Sequence, residues 1–197
     1  RGLNYVVRTR VDRDALADKG AAHFVATIEA IRSRIPHAKV EILTPDFKGR
    51  LPLIDQVVAA RPLVFNHNLE TCERLTKPIR SGGRYDRSLA VLAHAKDVAG
   101  PGMATKSGIM VGLGETDDEV LQCLRDLRSA NVDILTIGQY LPPSKQHWPL
   151  ERYVTPEQFD DWADQAKAMG FAGVASAPLV RSSYRAEELA EAALAQL

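Results

Sequence analysis

The chain has 197 residues, 25 Lys+Arg against 25 Asp+Glu, 45% apolar residues, 6% aromatic residues and two cysteines. That length predicts one domain with a large core, and a formal charge of zero gives no general field to draw the protein onto nucleic acid or an anionic membrane. No apolar run approaches the roughly 20 residues that span a bilayer, Arg1-Gly2-Leu3-Asn4 does not read as a secretory signal, and Cys72 and Cys123 have neither disulfide-framework nor zinc-site spacing, so a cytoplasmic protein is expected.

Short runs of Val, Ile and Leu alternate with amphipathic stretches of helix length, the pattern of a parallel sheet built from βαβ units. In chain order the reading is strand 3–8, helix 23–35, strand 39–44, helix 51–60, strand 62–66, helix 85–98 and strand 105–111. Helix 117–130, strand 133–139, helix 156–169, strand 173–176 and a terminal helix over 186–197 complete it. Thr116-Asp117-Asp118-Glu119 spells a capping box, and Thr155-Pro156-Glu157-Gln158 repeats the device with proline at the first helical position. Val120, Leu124 and Leu127 recur at helical spacing and should face the sheet, with Cys123 beside them as a small buried hydrophobe. The aperiodic Pro142-Pro143-Ser144-Lys145-Gln146-His147-Trp148-Pro149 reads as a loop over a site.

Most strands end in polar residues, where barrel folds build their chemistry. Phe65-Asn66-His67-Asn68-Leu69-Glu70-Thr71 offers amides, an imidazole and a carboxylate to a polar ligand, or else a hydrogen-bonded turn at the rim. Gly108, Gly112 and Gly114, between a strand and a capped helix, let a ligand approach the backbone. Asp117, Asp118 and Glu119 fill the positive end of that helix and repel an anion, so a nucleoside or a sulfonium suits the loop better than a phosphate. Lys106 reads either as a Schiff-base amine or as a simple charge, and Ser182 and Ser183 beside Arg181 as caps of the last helix.

Taken in order, the segments Tyr5-Val6-Val7, Val11-Asp12-Arg13-Asp14, Gly20-Ala21-Ala22-His23-Phe24, Pro45-Asp46-Phe47-Lys48-Gly49, the Phe65-to-Thr71 run, Thr105-Lys106-Ser107-Gly108 through Glu115-Thr116, Asp133 through Leu141 and Pro178 through Tyr184 resemble lipoyl synthases. These are radical S-adenosylmethionine (SAM) enzymes. The resemblance implies an α/β fold, a partial (β/α)6 TIM-type barrel lacking its first strand with a C-terminal helical extension, as one core domain over residues 1–197 with the Arg-Ser-Ser-Tyr segment at 181–184.

It further implies SAM and two [4Fe-4S] clusters, one held by a CxxxCxxC motif to cleave SAM and an auxiliary one that surrenders two sulfur atoms to C6 and C8 of a protein-bound octanoyl group. Asn68, Glu70, Gly108, Gly112 and Glu115 correspond to SAM-binding elements, Thr9, Asp12 and Gln139 to further pocket residues, and Ser183 to an oxygen ligand of the auxiliary cluster. The implied partners are octanoylated lipoyl-carrier domains, of the glycine cleavage H protein or of 2-oxoacid dehydrogenase E2, together with an electron donor and iron-sulfur carrier proteins. Neither cluster motif occurs in these 197 residues, and both are expected before Arg1, so the resemblance is to the C-terminal two-thirds of a lipoyl synthase. Two other readings stay open: a fragment that binds SAM or the octanoylated carrier without turnover, and an aldolase-like barrel using Lys106.

Overall fold

A computed structural model describes residues 2–9 and 15–197. Six strands, β1 (Tyr5–Thr9), β2 (Lys39–Leu43), β3 (Val64–Asn66), β4 (Ala104–Val111), β5 (Ile134–Gln139) and β6 (Gly173–Ser176), form one parallel sheet in sequential order. Neighbours pair from Tyr5 with Lys39 at one side to Ile137 with Ser176 at the other, and no pairing joins β6 to β1 among the described residues. The sheet is therefore an open, partial barrel, as expected.

Helices α1 (Ala21–Arg34), α2 (Leu51–Ala59), α4 (Tyr85–Ala99), α5 (Asp117–Ser129) and α6 (Pro156–Ala168) cover the outer face. Phe24, Ile28, Ile54, Val57 and Val91 close over Val40, Ile42 and Phe65; Leu92, Val120, Leu124, Leu127 and Trp162 close over Ile109, Val111, Leu135 and Ile137. Because side chains alternate along a strand, the residues between these, Glu41, Asn66, Lys106, Gly108 and Thr136, face inward. A buried parallel sheet ordinarily reads as a continuous apolar run. Polar residues at the inner positions mark where this one departs from that pattern.

Helix α7 (Ala186–Leu194) does not simply extend the chain. Its Ala190 and Ala193 pack on Val64, Ala104 and Ile134, so the helix returns to the inner face at the N-terminal ends of the strands, tied to β2 by Lys39 and Glu191 at 2.6 Å. Three expectations need correction. A seven-residue helix α3 (Glu73–Ile79), with Pro78 inside, follows β3; it is too short to show an apolar period. Gln158 does not complete the second capping box, because its amide nitrogen bonds Asp161 while Thr155 alone caps α6. Neither serine caps α7, whose N-cap is Arg185 at a positive φ with no side-chain capping bond.

The Thr116 box at α5 forms in full, and Arg74 of α3 adds two bonds, at 2.7 and 2.8 Å, to the Glu119 carboxylate. The Arg74 guanidinium is the main reason that carboxyl is held down to about 2. A lowered carboxyl stabilises fully above its ordinary value of 4.5, and that contribution disappears as pH falls toward about 2. Glu119→Gln should therefore flatten the acid limb of a plot of urea midpoint against pH in that window. An unchanged limb would show that the clamp contributes no acid sensitivity. Among the described residues no helix is long and apolar enough to cross a membrane.

Candidate functional site

The C-terminal end of β3 is shaped by hydrogen bonds that separate structural polar groups from available ones. His67 is buried, with Nδ1 at 2.9 Å from the Thr44 carbonyl and Nε2 at 3.0 Å from Ser88 Oγ, so it fastens β2 and α4 to the strand end. Asn66 turns inward and donates to Glu41. The side chains of Asn68 and Glu70 instead border open space at this end of the sheet. The backbone of Glu70 is clamped onto β4, its N–H donating to the Gly108 carbonyl and its own carbonyl accepting from Met110. That clamp holds Glu70 at φ 74, a left-handed conformation costing a non-glycine residue about 1 kcal/mol or more and typical of sites where aim outweighs local comfort.

Burial pushes the Glu70 carboxyl up, opposed by the Arg80 guanidinium and a hydrogen bond from Asn68. The Asn68 Oδ1 is buried without a partner. It lies against Gly108, where an added Cβ would sit 3.0 Å from it and 2.6 Å from Thr136 Oγ1, so only glycine admits the amide there.

The glycine turn that follows is braced from behind. Glu115 accepts from the Gly112 and Leu113 amides at 2.7 and 2.8 Å, occupying the donors a phosphate would otherwise take. Gln139 is saturated: the two N–H groups of Nε2 are shared among the carbonyls of Val111, Tyr140 and Arg152, each at 3.1 Å, and Oε1 accepts from the Val154 N–H. Trp148 Nε1 donates to the Leu113 carbonyl and Tyr140 Oη to the Trp148 carbonyl, which fixes the proline-rich loop beside the turn.

Two cavities open at this end of the sheet. One, of about 590 Å³, is mainly polar, with Thr9, Thr44, Asp46 and Arg80 among its walls; the other, of about 410 Å³, has Met110, Leu141, Trp148 and Val180 beside Gly108 and Gln139. Asn68, Glu70 and Ile79 line both. The structure thus brings together Thr9, Asn68, Glu70, Gly108 and Gln139, with Gly112 touching Gln139 from behind. Glu115 and Ser183 line neither cavity, although Ser182 lines the second. Asp12 lies outside the described residues.

Arg80 escaped the sequence reading. Its Nη1 is buried without a partner at the end of α3, facing the polar cavity. The only local signal is a basic residue between Pro78 and Gly82-Gly83, a turn that aims it.

Lys106 requires a correction. Its side chain is fully buried, with Nζ at 2.9 Å from Glu41 Oε1 and 2.5 Å from the Ser182 carbonyl, and it lines neither cavity. An imine-forming amine must be uncharged and accessible, so the aldolase reading is withdrawn.

Residues 1–127, more than half of the chain, match the Radical SAM superfamily. The chain belongs to that superfamily. It is 56% identical over 189 residues to the lipoyl synthase of Methylococcus capsulatus, covering 95% of this chain and 58% of that protein. It is 53% identical to the lipoyl synthase of Thermus thermophilus, again over 95% of this chain and 58% of the relative. Against lipoyl synthase 2 of Thermosynechococcus vestitus the identity is 52%, over 95% of this chain and 66% of that protein. The chain therefore spans roughly three-fifths of the length of such relatives. Two solved structures share the fold: the hydrogenase maturase HydG, with TM-score 0.68 and 14% identity over 95% of this chain and 44% of that one, and the Escherichia coli coproporphyrinogen III oxidase HemN, with TM-score 0.64 and 14% identity over 94% and 46%.

The superfamily implies SAM and a [4Fe-4S] cluster, and the two fit this chain differently. Orphaned polar atoms on Asn68 and Arg80 beside a glycine turn suit a zwitterionic nucleoside ligand. The cysteines do not suit a cluster. Burial pushes both thiols up, Cys123 to about 12, whereas cluster ligands are thiolates.

Proposed function

We propose that these residues form the SAM-binding and acyl-binding part of a lipoyl synthase, acting on an octanoyl group carried by a lipoyl-carrier domain such as the glycine cleavage H protein or a 2-oxoacid dehydrogenase E2. The observation that carries this reading is the meeting of a polar and a largely apolar cavity at Asn68, Glu70 and Ile79. When bound, SAM and its [4Fe-4S] cluster supply radical hydrogen abstraction, and an auxiliary [4Fe-4S] cluster supplies sulfur.

The chain's own contribution is placement. Asn68 and Glu70 would hold the ribose and amino groups, the Arg80 guanidinium would take the carboxylate, and the Gly108-to-Met110 backbone, supported by the turn through Gly114, would flank the adenine. Met110, Leu141 and Val180 shield the acyl chain from water at the neighbouring wall. Thr9 contributes at the rim, Asp12 is a further pocket residue by family resemblance alone, and Gln139 and Glu115 keep the glycine turn in shape. Electron-donor and iron-sulfur carrier proteins complete the system, in the cytoplasm.

Titrating the isotope-labelled chain with millimolar SAM should shift amides of Asn68, Glu70, Arg80 and the 108–114 turn, and Glu70→Gln should weaken binding about tenfold, the loss of roughly 1.4 kcal/mol expected for one hydrogen bond to a charged group. Shifts confined to other regions, or none, would count against the site. A second expectation follows from the protonated thiols. After anaerobic iron-sulfur reconstitution the 197-residue chain should hold no cluster and release no 5′-deoxyadenosine with a reductant present. Release of that product would overturn the reading of these residues as a binding part alone.

A further inference from the structure

The segment between β6 and α7 does not run over the outside of the barrel. It crosses the sheet's inner side and is anchored three times on the way. The Gln139 N–H donates to the Pro178 carbonyl at 3.3 Å. The Val180 carbonyl then lies on Gly138, where any Cβ would collide with it. Finally the Ser182 carbonyl accepts from Lys106 Nζ at 2.5 Å.

Arg181, Ser182, Ser183 and Tyr184 form a turn closed by the Tyr184 N–H on the Arg181 carbonyl at 2.8 Å, with the two serines at its centre. The Ser182 carbonyl takes no part in that closing bond. It shares a rigid, planar peptide unit with the Ser183 N–H, so fixing the carbonyl fixes the orientation from which the Ser183 side chain departs.

Lys106 is equipped for nothing else the structure shows. Its other bond is to Glu41, which also accepts from Tyr5 Oη at 2.9 Å and Asn66 Nδ2 at 3.1 Å, and both members of the ion pair are wholly buried. Burial and the neighbouring Glu41 carboxylate push the Tyr5 phenol up, so it stays a donor. A buried, hydrogen-bonded pair adds little net stability over an apolar replacement, while it constrains geometry strongly.

We propose that Lys106 is a positioning residue: held by Glu41, Tyr5 and Asn66, it pins the Ser182 carbonyl and thereby sets the Arg181–Tyr184 turn that presents Ser183. The value of that placement for sulfur insertion rests on the lipoyl synthase reading, but the placement itself is measured without SAM, clusters or carrier.

The test uses the double variant Glu41→Gln/Lys106→Met, which removes both charges together, and Glu41→Gln/Lys106→Gln, whose side chain at 106 is too short to reach Ser182 yet refills the site with polar atoms. Hydrogen exchange at the Tyr184 amide and tryptic cleavage after Arg181 and Arg185 should each accelerate at least tenfold in either variant. Exchange at Val111 and Leu124 should stay as in the parent. Unchanged turn exchange in a folded variant overturns the proposal. Acceleration that is uniform along the chain, or failure of both variants to fold, assigns the pair to folding and overturns it equally. Failure of the lipoyl synthase reading would show elsewhere, in the absence of SAM-induced shifts at the Asn68, Glu70 and Arg80 amides.

Discussion

Replacing Gly112 with alanine is expected to melt the chain early and abolish SAM binding, the largest stability effect foreseen for a single methyl group. Gly112 sits at φ +94, and a Cβ there would run into Gln139 Nε2 and the Arg152 carbonyl. The left-handed backbone costs an L-residue about 1–2 kcal/mol. Displacing the Gln139 amide then strands the buried Tyr140 carbonyl, at about 1–3 kcal/mol for a group left unsatisfied, and loosens the Arg152 carbonyl, while Val111 keeps its bond from the Tyr140 N–H. A total of about 3 kcal/mol or more corresponds, for a chain of this size, to a fall in Tm of roughly 6–12 °C. Gly170→Ala provides the comparison, since φ there is +92, close to that of Gly112, but nothing lies within 4 Å of an added Cβ. It should show the backbone contribution alone. Equal melting of the two variants would mean that Gln139 yields without penalty, and that it does not brace the turn.

In a protein that carries this chain together with both cysteine motifs, Ser183→Ala should stop lipoyl formation while SAM cleavage continues, and Ser182→Ala should leave both measurable. An alkoxide is a harder and more basic ligand than a thiolate, so an iron bound through serine is the site expected to leave most readily when sulfur is removed. The competing assignment, a helix cap, is not available to either serine because α7 starts at Ala186 behind Arg185 without a side-chain cap. What Ser182 supplies in the structure is its carbonyl, which alanine keeps. A decrease of at least a hundredfold in lipoyl product is expected for Ser183→Ala, about 2.7 kcal/mol in barrier height. Mass spectrometry of the carrier and chromatography of 5′-deoxyadenosine read the two steps separately. Equal lipoyl formation by parent and Ser183→Ala would remove Ser183 from the chemistry.

Local physics by itself determined much of this protein. The six strands, the outer helices and the Thr116 cap follow from apolar periodicity and from hydrogen bonds between residues three apart, all contained within a short window of chain. Asn68 and Glu70 stood out because a polar run at a strand end has few local partners. Their common cavity is where the fold placed them. Helix α3 stayed hidden because seven residues ending near Pro78 carry no readable period, and Arg80 stayed hidden with it.

Tertiary structure alone decided which polar residues are available. Glu115 and Gln139 read as ligand groups, yet their side chains are spent on backbone amides and carbonyls of the turn and its neighbouring loop. Lys106 read as a nucleophile or a simple charge; it is the charge, and the partners that decide this lie 65 and 76 residues away in sequence, beyond any local rule. The return of α7 onto the inner face has the same cause. Its alanine face is informative only once Val64, Ala104 and Ile134, from three separate strands, stand side by side to receive it. Whether a buried polar group is a ligand or a brace depends on which distant atoms satisfy it, and that is a property of the folded arrangement.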